Sequence, residues 1–112
     1  MQFLNLEREE QLEEISEANK PQVILKHNTT CPISKGVLRS LKEEESTLPA
    51  DTPFYILDIL TYRNISDTIE KKFSVPHESP QLLVIKNGEC TYNQSLYNIT
   101  PEDTAHAIHE NE

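Results

Sequence analysis

The stretch VILKHNTTCPISKGVLRSLKEE, residues 23–44, passes from a β-branched apolar run through a polar step to a cysteine and a proline, then into helical periodicity. VILKHN (23–28) is too short for a helix and too apolar for a surface loop, so it predicts a buried strand. From Pro32 to about Glu45, Ile33, Val37, Leu38 and Leu41 recur on one helical face. Pro32 suits the first helical position, where its missing N–H would be unpaired anyway. Cys31 is thereby placed at the mouth of a helix. A thiol there meets unpaired amide N–H groups and the positive end of the helix dipole, and both favour thiolate over thiol. The expectation is a pKa below the free value of about 8.5. Ser34, one turn on, is expected to donate its hydroxyl to the sulfur, with Lys26, His27 and Lys35 adding positive potential.

The spacing of Cys31 and Ser34 matters chemically. In a C-x-x-C pair the second thiol attacks the mixed disulfide and resolves it internally; a serine cannot displace sulfur. A C-x-x-S site stops at the mixed disulfide and needs an outside thiol, which points to a small-molecule thiol as co-substrate. The other cysteine, Cys90, lies beyond the Asn87-Gly88 turn, about 15 Å from a Cys31 placed beside Pro80. That exceeds the reach of a disulfide, so Cys90 is assigned to packing.

Outward from this segment, Phe3 and Leu4 are compatible with a short edge strand, and EREEQLEEISEAN (7–19) reads as an amphipathic helix carrying Leu12 and Ile15 on its apolar face. FYILDIL (54–60) is a second buried strand, and RNISDTIEKKF (63–73) a helix with Ile65, Ile69 and Phe73 at four-residue steps. QLLVIKNGECTYN reads as a hairpin of strands 81–86 and 89–93, its Asn-Gly turn supplying positive φ angles. Thr100 caps a last helix, with Pro101 and two acids in its first turn. Helices alternating with strands, closed by a hairpin, give an α/β fold with a mixed four- to five-stranded sheet and helices on both faces. That pattern is thioredoxin-like. Pro80, directly before the strand QLLVIK, fits the position of a cis-proline facing the reactive cysteine, with the Ser79 backbone free to pair with substrate.

The 112 residues are expected to form a single domain, residues 1–112. Ten Lys/Arg against nineteen Asp/Glu give a formal charge of −9, which repels phosphate backbones and anionic lipid heads. Neither nucleic acid nor membrane is an expected partner. The N-terminal MQFLNLEREEQLEE has no signal-peptide character, so a cytoplasmic location is expected, with the cysteines as free thiols. The four Asn-X-Ser/Thr triplets, at Asn28, Asn64, Asn93 and Asn98, are then coincidental. His106 and His109 lack a third ligand nearby, so no metal site is expected.

LKHNTTCPIS (25–34) together with VPHESPQ (75–81) closely resembles the monothiol bacilliredoxins, small thioredoxin-like proteins with a Thr-Cys-Pro-Ile-Ser site. Arg63, Ser66, Asp67, Ser95 and Ile99-Thr100 extend the resemblance over nearly the whole chain; Tyr92 and Leu96 depart from it, standing where tryptophan and histidine are expected. The resemblance implies a glutaredoxin-like thiol–disulfide oxidoreductase that removes bacillithiol from oxidised proteins. Cys31 would attack, carry the thiol as a mixed disulfide, and be regenerated by another thiol, with Pro32 and Ser34 completing the catalytic group. Thr30, Ser79, Pro80, Lys26 and Arg63 are expected to meet the substrate, with Lys26, Arg63 or Lys35 supplying a cation for the malate carboxylates of bacillithiol. No tightly bound cofactor is implied; the partners are bacillithiolated proteins and the small thiol, and the chain is expected to act as a monomer. His77 either shapes the approach to Pro80 or pairs with Glu78. Two other functions stay open at this point: an iron–sulfur module with Cys31 as one ligand, where Pro32 stands in place of the glycine such carriers use, and a redox-silent adaptor docking through its acidic helices.

Overall fold

The computed structural model describes residues 2–112. Its elements run β1 (Gln2–Asn5), α1 (Glu9–Glu17), β2 (Gln22–His27), α2 (Pro32–Glu43), β3 (Pro53–Asp58), α3 (Arg63–Phe73), β4 (Gln81–Lys86), β5 (Glu89–Ser95) and α4 (Pro101–Glu110). Short 3₁₀ turns at Glu45–Thr47 and Leu96–Asn98 follow α2 and β5. The five strands form one sheet in the order β1-β3-β2-β4-β5. β2 and β3 are parallel, as helical crossovers require, while β4 runs antiparallel to both β2 and β5. The edge strand left unsettled by Phe3 and Leu4 is real: it pairs parallel with β3.

Alternation along the strands divides the core into two layers. Ile24, Leu57, Leu83 and Ile85 pack with Leu12 and Ile15 of α1 and with Ile65, Ile69 and Phe73 of α3. Val23, Leu25, Leu82 and Val84 pack on the other face with Val37 and Leu41 of α2 and Ala105 and Ile108 of α4. Each leucine or isoleucine buried this way contributes about 1.5–3 kcal/mol over leaving it in water. The central strand β2 is buried along its whole length, which is why it reads as a continuous apolar run rather than an alternating one. Among the described residues no helix is long and apolar enough to cross a membrane.

The turn chemistry expected from the sequence is present. Asn87 (φ 53°) and Gly88 (φ 78°) take positive angles in the β4–β5 hairpin. Thr100 Oγ1 accepts the Asp103 N–H at 3.1 Å and caps α4. Strand β3 starts at Pro53 and stops at Asp58, two residues short of the expected end. There the Asp58 carboxylate accepts the N–H groups of Leu60 (3.0 Å) and Thr61 (3.4 Å), folding the chain into a turn instead. Strand β5 extends to Ser95, past the expected residue 93, and its pairing with β4 has a register irregularity between Val84 and Ile85.

Candidate active site

The C-terminal end of β2 and the start of β4 share one edge of the molecule, because Lys26 lies opposite Gln81 in the antiparallel register. The loop after β2 carries Thr30 and Cys31, and the loop before β4 carries Ser79 and Pro80. The Ser79–Pro80 peptide bond is cis. Fold topology thus brings both sequence-predicted loops together.

Cys31 is the N-cap of α2, in extended conformation (φ −96°, ψ 121°), half-buried, with Pro32 following at the first helical position. Its carbonyl accepts the Lys35 N–H at 3.0 Å and its own N–H reaches the Asn28 carbonyl at 3.2 Å. Cys31 holds the N-cap position, where an Asp or Ser oxygen would normally accept the first-turn N–H groups, and no side-chain hydrogen bond caps the helix start. Thr30 and Pro32 are exposed beside it. The Asn28 side chain stiffens the approach by accepting from the Thr30 N–H (2.9 Å) and hydroxyl (2.8 Å).

Ser34 departs from the sequence expectation. Its side chain is fully buried, and its oxygen accepts the Asn28 N–H at 2.9 Å and is hydrogen-bonded to His27 Nδ1 at 2.8 Å. Both of its hydrogen bonds run to the end of β2, to Asn28 and His27, rather than to the sulfur. Ser34 therefore acts on Cys31 through the backbone of its loop. His27 itself is 7% exposed, and burial pushes its pKa below the ordinary histidine value, with the Asp58 carboxylate opposing.

Lys26 is corrected as well. It was expected to be a surface cation for substrate carboxylates, yet it is 0% exposed. Alternation sends it to the face of the sheet opposite His27, where its Nζ donates to His77 Nδ1 at 3.1 Å. Burial pushes its pKa below the usual lysine value, against the pull of Glu70 and Asp67. Neither Lys26 nor His27 presents positive charge at the surface near Cys31. Arg63 and Lys35 are exposed, and Arg63 lines a small cleft with Ile59, Ser66, Asp67 and His77.

Ser79 is half-buried and its hydroxyl has no hydrogen-bond partner among the described residues. Pro80 is buried, and its carbonyl accepts the Leu96 N–H at 3.0 Å, tying this loop to the turn after β5. That turn presents Tyr97, 77% exposed, which with Pro32, Ile33, Gly36, Val37, Ser40 and Ile99 lines a groove of about 270 Å³ along α2. The sequence reading passed over Tyr97 and the pairing of His77 with Lys26. An isolated lysine inside an apolar strand was the available signal for the second, since a buried amine demands a partner.

Both cysteines are free thiols. Cys90 is opposite Ile85, four residues along β4 from Gln81, or roughly 13 Å of strand from the active edge. Its Sγ donates to the Tyr92 carbonyl at 3.3 Å, it packs against the α1/α3 layer, and burial pushes its pKa up. His106 and His109 lie exposed against Glu110 (2.8 Å) and Glu112 (3.1 Å) respectively.

A solved thioredoxin-fold chain to which an oxidoreductase activity has been ascribed is 35% identical, with a TM-score of 0.78 over 94% of this chain and 92% of that one. Thioredoxins from Trypanosoma brucei brucei (14% identity, TM-score 0.77, 96% and 88% covered) and Malassezia sympodialis (19%, 0.76, 99% and 90%) share the fold. The family profile described as monothiol bacilliredoxin BrxC matches residues 4–104. A family match over nearly the full length, carried by a chain whose one helix-capping cysteine has a serine in the resolving position, leads to one conclusion: this chain belongs to the monothiol bacilliredoxin family and has a thiol oxidoreductase-like role on a thioredoxin fold.

Proposed function

We propose that the chain removes bacillithiol from mixed disulfides on oxidised proteins, acting in the cytoplasm as a monomer. The observation that carries this reading is the isolation of Cys31: a half-buried sulfur at a helix mouth, with Ser34 buried where a resolving cysteine would be and Cys90 at the far end of the sheet. The Cys31 thiolate attacks the bacillithiol sulfur of the mixed disulfide. The S–S bond breaks, the protein cysteine leaves as a thiolate and takes a proton from water, and Cys31 holds bacillithiol in a new disulfide. A second bacillithiol thiolate then attacks that sulfur, releasing oxidised bacillithiol and restoring the Cys31 thiolate. The reducing equivalent comes from the one free bacillithiol that enters, whose sulfur replaces the protein's in the disulfide, so no bound redox group is needed.

The unpartnered Ser79 hydroxyl and the exposed Arg63 and Lys35 support the recognition part of this reading. Ser79 offers a donor to the incoming ligand next to Pro80, and the two cations suit the malate carboxylates of bacillithiol. The groove bearing Pro32, Ile33 and Tyr97 offers apolar surface to the protein half of the substrate.

Intact-mass analysis after separate exposure to oxidised bacillithiol and oxidised glutathione tests activity and thiol preference together. The expected result is one bacillithiol added at Cys31 in the wild type and in Cys90→Ala, and none in Cys31→Ala. An unmodified wild-type protein under both oxidants would overturn the reading.

A further inference from the structure

A fully buried lysine is costly unless its amine is satisfied, and here the partner it finds lies in the loop that delivers Pro80. The exchange chemistry uses neither Lys26 nor His77. Their contact spans 51 residues of sequence and joins the central strand β2 to the VPHESP segment (75–80). Two further bonds come from α3: Ser66 Oγ lies 3.3 Å from His77 Nδ1, and Glu70 Oε2 accepts the His77 backbone N–H at 2.8 Å. Gln81 adds a bond from its side-chain amide to the Pro76 carbonyl at 3.1 Å. The loop has no regular secondary structure of its own, so these contacts set where it lies.

We propose that Lys26 is a positioning residue for the exchange reaction: from the sheet interior its amine holds the His77 ring, and through it the loop bearing Ser79 and Pro80, at the depth that faces Cys31. This deepens the proposed function and rests on that reading for its kinetic part. An ammonium donates only, so His77 Nδ1 accepts and the ring proton sits on Nε2. Protonating Nδ1 turns the acceptor into a donor aimed at the amine and breaks the hold. The charged groups around the pair are Asp67 and Glu70, which favour the proton on His77, and Arg63 and Lys26, which oppose it; all except Lys26 come from α3. Burial and Lys26 together push the His77 pKa below the ordinary histidine value. The hold is therefore intact at neutral pH and fails only on acidification.

Three variants of the full chain test this: Lys26→Met, which keeps the side chain's length and apolar character, His77→Gln, which keeps an acceptor for the amine, and Lys26→Met/His77→Gln. Hydrogen exchange at the His77 amide, which needs no activity, should become about tenfold faster in Lys26→Met while core amides keep their protection. The second-order rate for a bacillithiol-modified peptide should fall between about tenfold and a hundredfold in Lys26→Met, because a displaced loop misaligns the incoming disulfide. Alkylation of Cys31 by iodoacetamide, which does not use the loop, should stay within about twofold. His77→Gln should keep most of the exchange rate at pH 7.5; below about pH 6.5 the ratio of exchange rate to Cys31 alkylation rate, which cancels protonation of the thiolate itself, should decline in the wild type and stay flat in His77→Gln, and the double variant should behave as Lys26→Met alone. Unchanged His77-amide exchange in Lys26→Met, or an acid-side decline of the exchange-to-alkylation ratio that persists in His77→Gln, would overturn the proposal. A wild type that exchanges with no disulfide strikes the proposed function instead, and the amide measurement still decides the role of Lys26.

Discussion

Strand β2 ends in two basic residues that alternation sends to opposite faces of the sheet, and each is buried against one of the two loops of the site. His27 supports the Cys31 side: it is hydrogen-bonded to Ser34, which holds Asn28, which holds Thr30, every bond closing within seven residues of sequence. Lys26 supports the Pro80 side through His77, 51 residues away. One support is local and forms with the strand–helix junction itself. The other forms only once β2, α3 and the loop before β4 have assembled. The two loops of the site thus owe their placement to different levels of the fold, and substitutions should separate them.

The largest expected effect is on the local support. Ser34→Ala strands both the Asn28 N–H and the His27 ring nitrogen, and an unsatisfied buried partner costs about 1–3 kcal/mol. Urea unfolding should show a lower midpoint with an unchanged m-value. Lys26→Met, by contrast, replaces a buried amine with apolar atoms and leaves a partner, His77, that is exposed and keeps Ser66 Oγ at 3.3 Å, so it should cost less. If Lys26→Met proved the more destabilising of the two, the division between a local structural support and a remote positioning one would not stand.

Acidification sharpens the comparison next. His27 and His77 both have folded-state pKa values pushed down by burial, so in the range between those values and the unfolded value of about 6.5 the unfolded chain binds more protons. Stability therefore rises with pH there, and it is lost as pH falls below about 6.5. Lys26 has the same sign at higher pH: its lowered pKa makes stability rise toward the unfolded lysine value of about 10.4. Unfolding midpoints measured from pH 8 to pH 5 should fall for the wild type. His27→Gln should flatten that slope more than His77→Gln, because His27 is buried and His77 exposed. The reverse order would place the acid-sensitive support on the Pro80 side.

Much of this was legible in the sequence, and the boundary follows the same division. The strand expected at VILKHN (23–28) and found at Gln22–His27, the helix opened by Pro32, the Asn-Gly hairpin and the Thr100 cap are decided by neighbours a few residues apart, and each formed within a residue or two of its expected place. Cys31 and Pro80 could be put at one site because element order fixes which loops share a sheet edge. What failed was side-chain direction. Lys26 and Lys35 read alike as cations near the cysteine, but the pleat buries the first and leaves the second exposed. Ser34 read as a donor to sulfur because it is one helical turn from Cys31; that it would face His27 depended on the strand packing beneath it. Long-range partners such as His77 for Lys26 leave only an indirect trace, a polar residue where the apolar pattern calls for another hydrophobe.

The smallest effect is expected at the second sulfur, and it separates the site from the scaffold. Cys90 sits at the other end of the β4–β5 pair from Ser95, half-buried, with its proton on the Tyr92 carbonyl and its pKa raised by burial. Thiolate is the reactive form, so Cys90 should alkylate slowly at neutral pH while Cys31, at an open helix mouth, reacts first. Cys90→Ala removes one small, partly buried group and should cost below about 1 kcal/mol, with exchange within about twofold of wild type. Iodoacetamide labelling followed by peptide mapping reads the order of reaction directly. Equal labelling of both sulfurs would mean that residence at the helix mouth gives Cys31 no advantage over a thiol packed on a strand, and the distinction between reactive and structural cysteine in this fold would have to be sought elsewhere.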